Sequence, residues 1–290
     1  MPTIDVNKKR GENVQVDLSD YLTDNKNLEN PNNTLLPVSW GVDIGHVTSR
    51  IANKESDLFV PIGKNENGYV TFDLTLGRDI LAGGSMLSGV GMFRRVSLVS
   101  LLKTNKPENL RIVLIDPKGL MSDFDTDPHL QFSRSKTQEE VVRAIKWCQE
   151  ETDRRLNLLQ QSNVVHVSDY NRYKSVDGLA LPSIVIFISE LGDLIDIPNF
   201  DTLLYKIAGM TRATNIHFII TTQQPSVDVV TPIILETFTN RIAFQMPYEA
   251  ESVLFVEQEG AEKLLGQGDM LFKNGYDNSV LHLQGLYYPS

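Results

Sequence analysis

Residues 80–102, ILAGGSMLSGVGMFRRVSLVSLL, carry the spacing in this chain that most suggests a defined chemistry. A short apolar run passes into a glycine-rich turn, and the turn passes into an amphipathic helical stretch. This is the setting of a phosphate-binding loop, written Gly, four residues, Gly, Lys, then Ser or Thr. Gly84 and Gly89 keep that spacing, with Ser85 and Ser88 between them. Val90, however, stands at the Lys position, and Gly91 stands at the hydroxyl position. Backbone N–H groups from Gly84 to Met92, at the start of a helix, still offer a concavity for an anion. The ammonium that neutralises the β- and γ-phosphates is missing, and so is the hydroxyl that holds magnesium. The plain alternative is a glycine-rich strand-to-helix turn with no ligand.

Several apolar runs set the frame around this turn. Leu110–Ile115, Ile184–Ile188, Ile216–Thr221 and Ile242–Phe244 are short and continuous, and helical stretches at 137–161 and 202–211 separate them. In the longer helix, Val141, Ile145, Cys148 and Leu159 form one stripe. Continuous apolar strands alternating with helices imply an α/β fold, with a mostly parallel central sheet and helices on both faces. Ligands of such sheets bind at the carboxyl ends of the strands. Asp116, Ser189-Glu190 and Thr222-Gln223 all fall at such ends and converge with the glycine-rich turn. Before this core, residues 1–36 are polar and rich in Asn and Asp, and read as an extension and linker with short elements near 3–6 and 14–22. That leaves 37–290 as one large domain, opening with apolar segments at 36–44 and 58–62, a turn at 63–68 and an alternating strand at 69–74.

Composition narrows the function. The 290 residues suffice for one large domain with an extension. No run approaches the roughly 20 apolar residues that span a bilayer, and the polar N-terminus lacks a signal-peptide core. The single cysteine, Cys148, excludes an internal disulfide and fits a reducing cytosol. A net charge of −10 argues against a uniformly basic nucleic-acid surface, although not against a ring with a basic channel. The five histidines do not cluster, so no metal site is expected, and His129 and His217 read as packed or capped side chains. No Ser-His-Asp or Cys-His arrangement suggests nucleophilic catalysis.

From Ile115-Asp116-Pro117-Lys118 onward the chain resembles the motor domain of the FtsK/SpoIIIE DNA translocases. Pro128-His129-Leu130, the 144–155 helix with Arg154-Arg155, and Asp169-Tyr170-Asn171 follow in the family's order. Thr222-Gln223-Gln224-Pro225-Ser226-Val227-Asp228 is similar to the family's T-Q-R-P-S-V-D segment. Asn240-Arg241-Ile242-Ala243-Phe244 and the stretch from Gly260 to Leu271 match closely, and Asn7-Lys8-Lys9-Arg10 resembles the segment just upstream of that motor. The resemblance implies a RecA-like P-loop fold over 37–290, ATP and Mg2+ as cofactors, and a cytoplasmic location, including as the cytoplasmic part of a membrane-anchored assembly. It also implies a hexameric ring on double-stranded DNA, formed with copies of the chain or with an active motor subunit.

The departures from the family fall on the chemistry. Where the family ends its second buried strand in Asp-Glu, this chain has Ser189-Glu190; Glu190 keeps the position that polarises the attacking water. With Val90 and Gly91, three of the four groups that hold Mg-ATP are lost. Loss of one preorganised donor costs about 3–4 kcal/mol of transition-state stabilisation, so hydrolysis by this subunit is expected to be negligible, and the departures argue against its holding ATP and Mg2+. By resemblance, Gln223 is a γ-phosphate sensor, or else a strand-end cap. Arg212 is an arginine finger toward a neighbour's nucleotide, with Arg241 as second candidate, or else each is a structural ion pair. Arg172 and Lys174, around Tyr173, face DNA phosphates or simply solvate a loop. Arg94 and Arg95 lie one turn into the helix and are expected to point away from the loop and pair with surface acids; the alternative is an active ATPase whose loop uses them. Asp116 and Lys118 are expected to pair locally. A degenerate module of a type VII secretion motor, acting in protein interaction, is the remaining alternative.

Overall fold

A computed structural model of the chain describes residues 14–16, 58–75, 79–174 and 180–288. The elements read near 3–6 and 36–44, and the linker at 24–34, lie outside these residues. The chain enters through β1 (Val14–Val16), β2 (Phe59–Asn65) and β3 (Gly68–Asp73), then reaches β4 (Ile80–Gly83). The glycine-rich turn follows, and α1 (Val90–Thr104) leads to β5 (Leu110–Ile115). Two helices, α2 (Gln138–Gln161) and α3 (Val167–Lys174), precede β6 (Ser183–Ile188). Then come α4 (Phe200–Ala208), α5 (Thr211–Thr214) and β7 (Ile216–Thr222), followed by α6 (Pro232–Thr237) and β8 (Asn240–Phe244). The chain closes with α7 (Glu249–Val256), β9 (Asp269–Lys273) and β10 (Val280–Gly285).

All ten strands join one sheet in the order β1-β3-β2-β10-β9-β8-β4-β7-β6-β5. The stretch β8-β4-β7-β6-β5 is parallel, as the continuous apolar runs require. An antiparallel wing of β9, β10, β2, β3 and β1 extends it. Side chains alternate between the two faces of the parallel strands. Ile184, Ile186 and Ile188 of β6 pack with Val141 and Ile145 of α2, Leu204 of α4, Ile234 of α6 and Phe255 of α7. The alternate residues Val185 and Phe187 belong to the opposite core, with Val90, Phe93 and Leu98 of α1. Every residue of β7 and β8 is buried.

The long helix α2 begins in a capping box. Thr137 Oγ1 accepts the Glu140 N–H at 3.3 Å, and Glu140 Oε2 accepts the Thr137 N–H at 3.1 Å. Its stripe of Val141, Ile145, Cys148 and Leu159 is buried as read, and burial pushes the Cys148 thiol well above its ordinary pKa. The single helix expected at 202–211 is instead α4 and α5, interrupted at Gly209 and Met210. Among the described residues no helix is long and apolar enough to cross a membrane.

Candidate functional site

The loop between β4 and α1 lies at the carboxyl end of β4, which sits between β8 and β7 in the parallel stretch. The Gly84 N–H donates to Thr222 O at 3.3 Å and the Ser85 N–H to Gln245 O at 2.8 Å, which fixes the loop to the ends of β7 and β8. On the far side, Ser88 O accepts the Gly268 N–H at 2.7 Å. A Cβ at Gly89 would stand 2.7 Å from both Cα and N of Gly268, and φ there is +127°, so only glycine fits. Leu87 holds φ of +65° and is 90% exposed at the loop apex, beside the exposed Met86. The loop is therefore a glycine-held curl with no charged side chain between residues 84 and 91. Val90 is buried in the core with Phe93 and Phe244, and does not overhang the loop. Met92 Sδ accepts the Tyr288 N–H. The amides of Val90, Gly91 and Met92 open the helix and have no intrahelical acceptor. Ser88 Oγ is buried without a partner, 2.8 Å from where a Cβ on Gly84 would stand.

At the neighbouring strand ends the polar groups form one buried network. Asp116, at the end of β5, accepts the Ser189 hydroxyl at 2.5 Å, the Leu120 N–H at 3.1 Å and the Met121 N–H at 2.9 Å, with Arg134 Nη1 3.7 Å away. Glu190 uses both oxygens: Oε1 accepts the Thr222 hydroxyl at 2.7 Å and the Gly192 N–H at 3.2 Å, and Oε2 accepts the Gln223 N–H at 2.8 Å. The expected Asp116–Lys118 pair does not form. Lys118 donates to Asp193 at 2.5 Å, which raises its pKa, while Asp116 turns inward to Ser189.

Arg94 is the residue that sequence reasoning misplaced. It is 5% exposed and points back to the strand ends, where Nη1 donates to Ser189 O at 2.9 Å. Burial lowers its pKa, and the charges of Asp116 and Glu190 oppose that shift. Helical side chains lean toward the N-terminus, so an arginine one turn in reaches the loop when the positions before it are small. Gly91, three residues earlier, borders that path: a Cβ there would stand in contact with Arg94 Nη2 at 3.5 Å. The i, i+3 spacing of Gly91 and Arg94 was the available signal. Arg95 behaves as expected and pairs with Asp123 at 2.6 Å.

Of the remaining candidates, Gln223 meets this cluster through its backbone, and Arg212, Arg241 and Arg172 lie outside it. The Gln223 backbone is tied to Glu190, while its side chain is only half-buried. Arg212 is exposed on α5, which leads into β7 at the end of the sheet away from the loop. Arg241 is excluded as a finger, because its guanidinium is buried and donates to the carbonyls of Phe238, Phe255 and Leu235 and to Glu257. Arg172 is exposed on α3, 3.6 Å from Asp169, and Lys174 is the last residue of that helix. Asn171 ties α3 to Leu181 just before β6, again away from the loop. His129 bonds Asp127 and Asn105 O, and His217, fully buried, has its pKa lowered to about 3 and stays neutral.

The loop does not fit magnesium. Position 91 offers no hydroxyl, Ser189 spends its own on Asp116, Glu190 has both oxygens engaged, and a guanidinium faces the position. Elsewhere among the described residues, Glu249, Glu259 and Glu262 come close enough to share an ion, but they lie largely at the surface and nothing else marks them as a site.

Comparison with known proteins gives a consistent picture. The FtsK/SpoIIIE family model matches residues 48–268. The DNA translocase FtsK of Clostridium acetobutylicum is 33% identical over 266 residues, which is 90% of this chain and 34% of that protein. The DNA translocase FtsK of Campylobacter jejuni is 35% identical over 237 residues, 80% of this chain and 25% of that protein. This chain thus spans about a third or less of the curated relatives it matches. Among solved structures, the pCW3 conjugation coupling protein TcpA, in its monomer form with ATPγS, aligns with a TM-score of 0.67 at 25% identity, covering 81% of this chain and 68% of that one. The cytoplasmic domain of the Thermomonospora curvata type VII secretion ATPase EccC aligns with a TM-score of 0.67 at 22% identity, covering 80% and 29%, and attests the fold alone.

Proposed function

The chain belongs to the FtsK/SpoIIIE family, and from that premise we propose that it is a motor-type subunit that engages double-stranded DNA within a ring but does not itself hydrolyse ATP. The family uses ATP and Mg2+ in general. The observation that carries the non-hydrolysing reading is the state of the four catalytic positions. Val90 is packed in the core, Gly91 is empty of oxygen, Ser189 is bound to Asp116, and Glu190 is held on three donors. Phosphoryl transfer depends on positioning and on neutralising developing charge, and none of these four groups is free for either task. In this reading residues 37–290 are the motor domain and 1–36 its upstream extension. Arg172 and Lys174 contribute phosphate contacts, Gln223 relays the state of the loop, Arg212 serves a neighbouring subunit, and hydrolysis belongs to active subunits of a cytoplasmic hexameric ring. The secretion-motor alternative gains nothing from the likeness to EccC, which concerns the fold.

The test is phosphate release by the full chain with Mg-ATP and duplex DNA, run beside fluorescence anisotropy on the duplex. The expected result is no release above buffer, with duplex binding that weakens as salt rises. Sustained DNA-stimulated release would sink the non-hydrolysing reading; absence of duplex binding at low salt would sink the DNA-engaging one.

A further inference from the structure

The substitutions in the loop and at the strand end meet at one point. In a phosphate loop of this type, magnesium is held by the hydroxyl at position 91 and by the carboxylate at position 189. With a metal–oxygen distance of about 2.1 Å added to one C–O bond, such an ion lies roughly 3 Å from the Cβ that would carry the hydroxyl. Arg94 Nη2 lies 3.5 Å from the Cβ position of Gly91. The same guanidinium bonds the main-chain oxygen of Ser189, the residue that replaces the metal's carboxylate. Asp116 and Glu190 supply the counter-charge. A covalently attached cation therefore lies about as far from position 91 as a bound one would.

What remains unbonded around that cation points to a ligand. Of the Arg94 donors only Nη1 is engaged; Nε is buried without a partner, and Nη2 has none among the described residues. Ser88, 1% exposed, has its hydroxyl buried and unpartnered at the base of α1. Buried polar groups are seldom left unpaired. Arg94 Nη2 lies beside Gly91, whose amide, with those of Val90 and Met92 in the first turn, favours an anion.

We propose that the loop is a metal-independent polyphosphate site, in which the Arg94 guanidinium replaces magnesium and the phosphate chain of a nucleoside di- or triphosphate binds without a divalent cation. Ser88 Oγ and the amides of residues 90–92 complete the donor set. This rests on reading the loop as a nucleotide pocket that no longer hydrolyses. The bound anion would set the conformation of the loop without turnover.

The experiment is calorimetric titration of the full chain with pyrophosphate and, separately, with ADP, each in EDTA and in excess magnesium. Both ligands are expected to bind in EDTA, and excess magnesium should leave binding unchanged or weaken it by sequestering the ligand. Tighter binding of ADP than of pyrophosphate would assign the site to a nucleotide, and equal binding would assign it to the phosphate chain; either supports the proposal. Arg94→Gln should weaken binding at least about tenfold, because a charge-assisted contact is lost. Ser88→Ala removes only an unpartnered hydroxyl, keeps the fold, and should weaken binding several-fold. Binding only with magnesium, no binding up to millimolar ligand, or undiminished binding in both variants would each overturn the proposal. Phosphate release by a chain that also binds ADP in EDTA would overturn the non-hydrolysing reading and leave this one standing.

Discussion

Glu190 separates a working catalytic carboxylate from a structural one. In a hydrolysing motor, replacing it by glutamine stops turnover and leaves the fold nearly intact. Here the expectation is the reverse. Glu190 is 4% exposed and accepts the Thr222 hydroxyl, the Gly192 N–H and the Gln223 N–H, joining the carboxyl ends of β6 and β7. In Glu190→Gln one acceptor oxygen becomes an amide donor, so either the Gln223 N–H or the Thr222 and Gly192 donors face an N–H group. A charge-assisted bond is lost and a buried donor is left unpaired, at about 2–3 kcal/mol. At about 2 °C per kcal/mol for a domain of this size, the melting temperature should fall by about 5 °C. Thermal unfolding followed by circular dichroism measures that loss, and phosphate release measured on the same samples should be absent before and after the change. A melting temperature that stays within about 1 °C of wild type, accompanied by wild-type turnover that the substitution abolishes, would refute the structural assignment of Glu190.

Two further outcomes test the frame of the loop. Gly89→Ala forces a Cβ to within 2.7 Å of the Gly268 backbone at φ +127°, and should cost about 3 kcal/mol or more in urea unfolding; a loss below about 1 kcal/mol would show that the loop is not held as described. His282 donates to the buried Asp269 at 2.6 Å, which raises the imidazole pKa above 6.5. Its folded pKa exceeds its unfolded one, so its stabilisation is full below the unfolded value and is lost as pH rises through the raised value. With the ring half-exposed, solvent screening keeps this below about 1 kcal/mol. Stability should decline above pH about 6.5 in the wild-type chain and lose that component in His282→Gln; identical pH profiles would contradict the pairing.

The parallel core was legible because its strands are buried on both faces. Runs such as Ile184–Ile188 must be continuously apolar, and no polar alternation hides them. The helix after Thr137 was equally plain, since Val141, Ile145, Cys148 and Leu159 recur on one stripe over about five turns. The antiparallel wing was harder. Residues 269–273 form a short strand, and β10 places the charged-capable His282 among apolar neighbours, so neither keeps a clean period. Pairing of β1 with β3, Val14 opposite Thr71, is a long-range event that no local pattern announces. The division of 202–211 into α4 and α5 turned on Gly209 and Met210, where a weak helix former interrupts a strong stripe.

The loop was legible in what it lacked, and the missing part was what had moved into the gap. Val90, Gly91 and Ser189 each read as a deleted function, because sequence compares one position with one expected residue. Arg94 read as a surface cation, because charged residues within amphipathic helices are usually solvated. The two readings constrain each other only in three dimensions. Gly91 sits beside the Arg94 guanidinium, and Ser189 ties off Asp116 with its hydroxyl while its main-chain oxygen accepts both Arg94 and the Thr221 hydroxyl. A Cβ at 91 would touch Arg94 Nη2 at 3.5 Å, and a carboxylate at 189 would restore an oxygen ligand for a metal. On the proposed reading the substitutions act together on the charge that the site carries, exchanging a bound divalent ion for a fixed monovalent group. Restoring single residues should consequently fail to restore a magnesium site. Only the combined replacement at 90, 91, 94 and 189 removes the guanidinium while returning both the oxygen ligands and the ammonium of a phosphate loop.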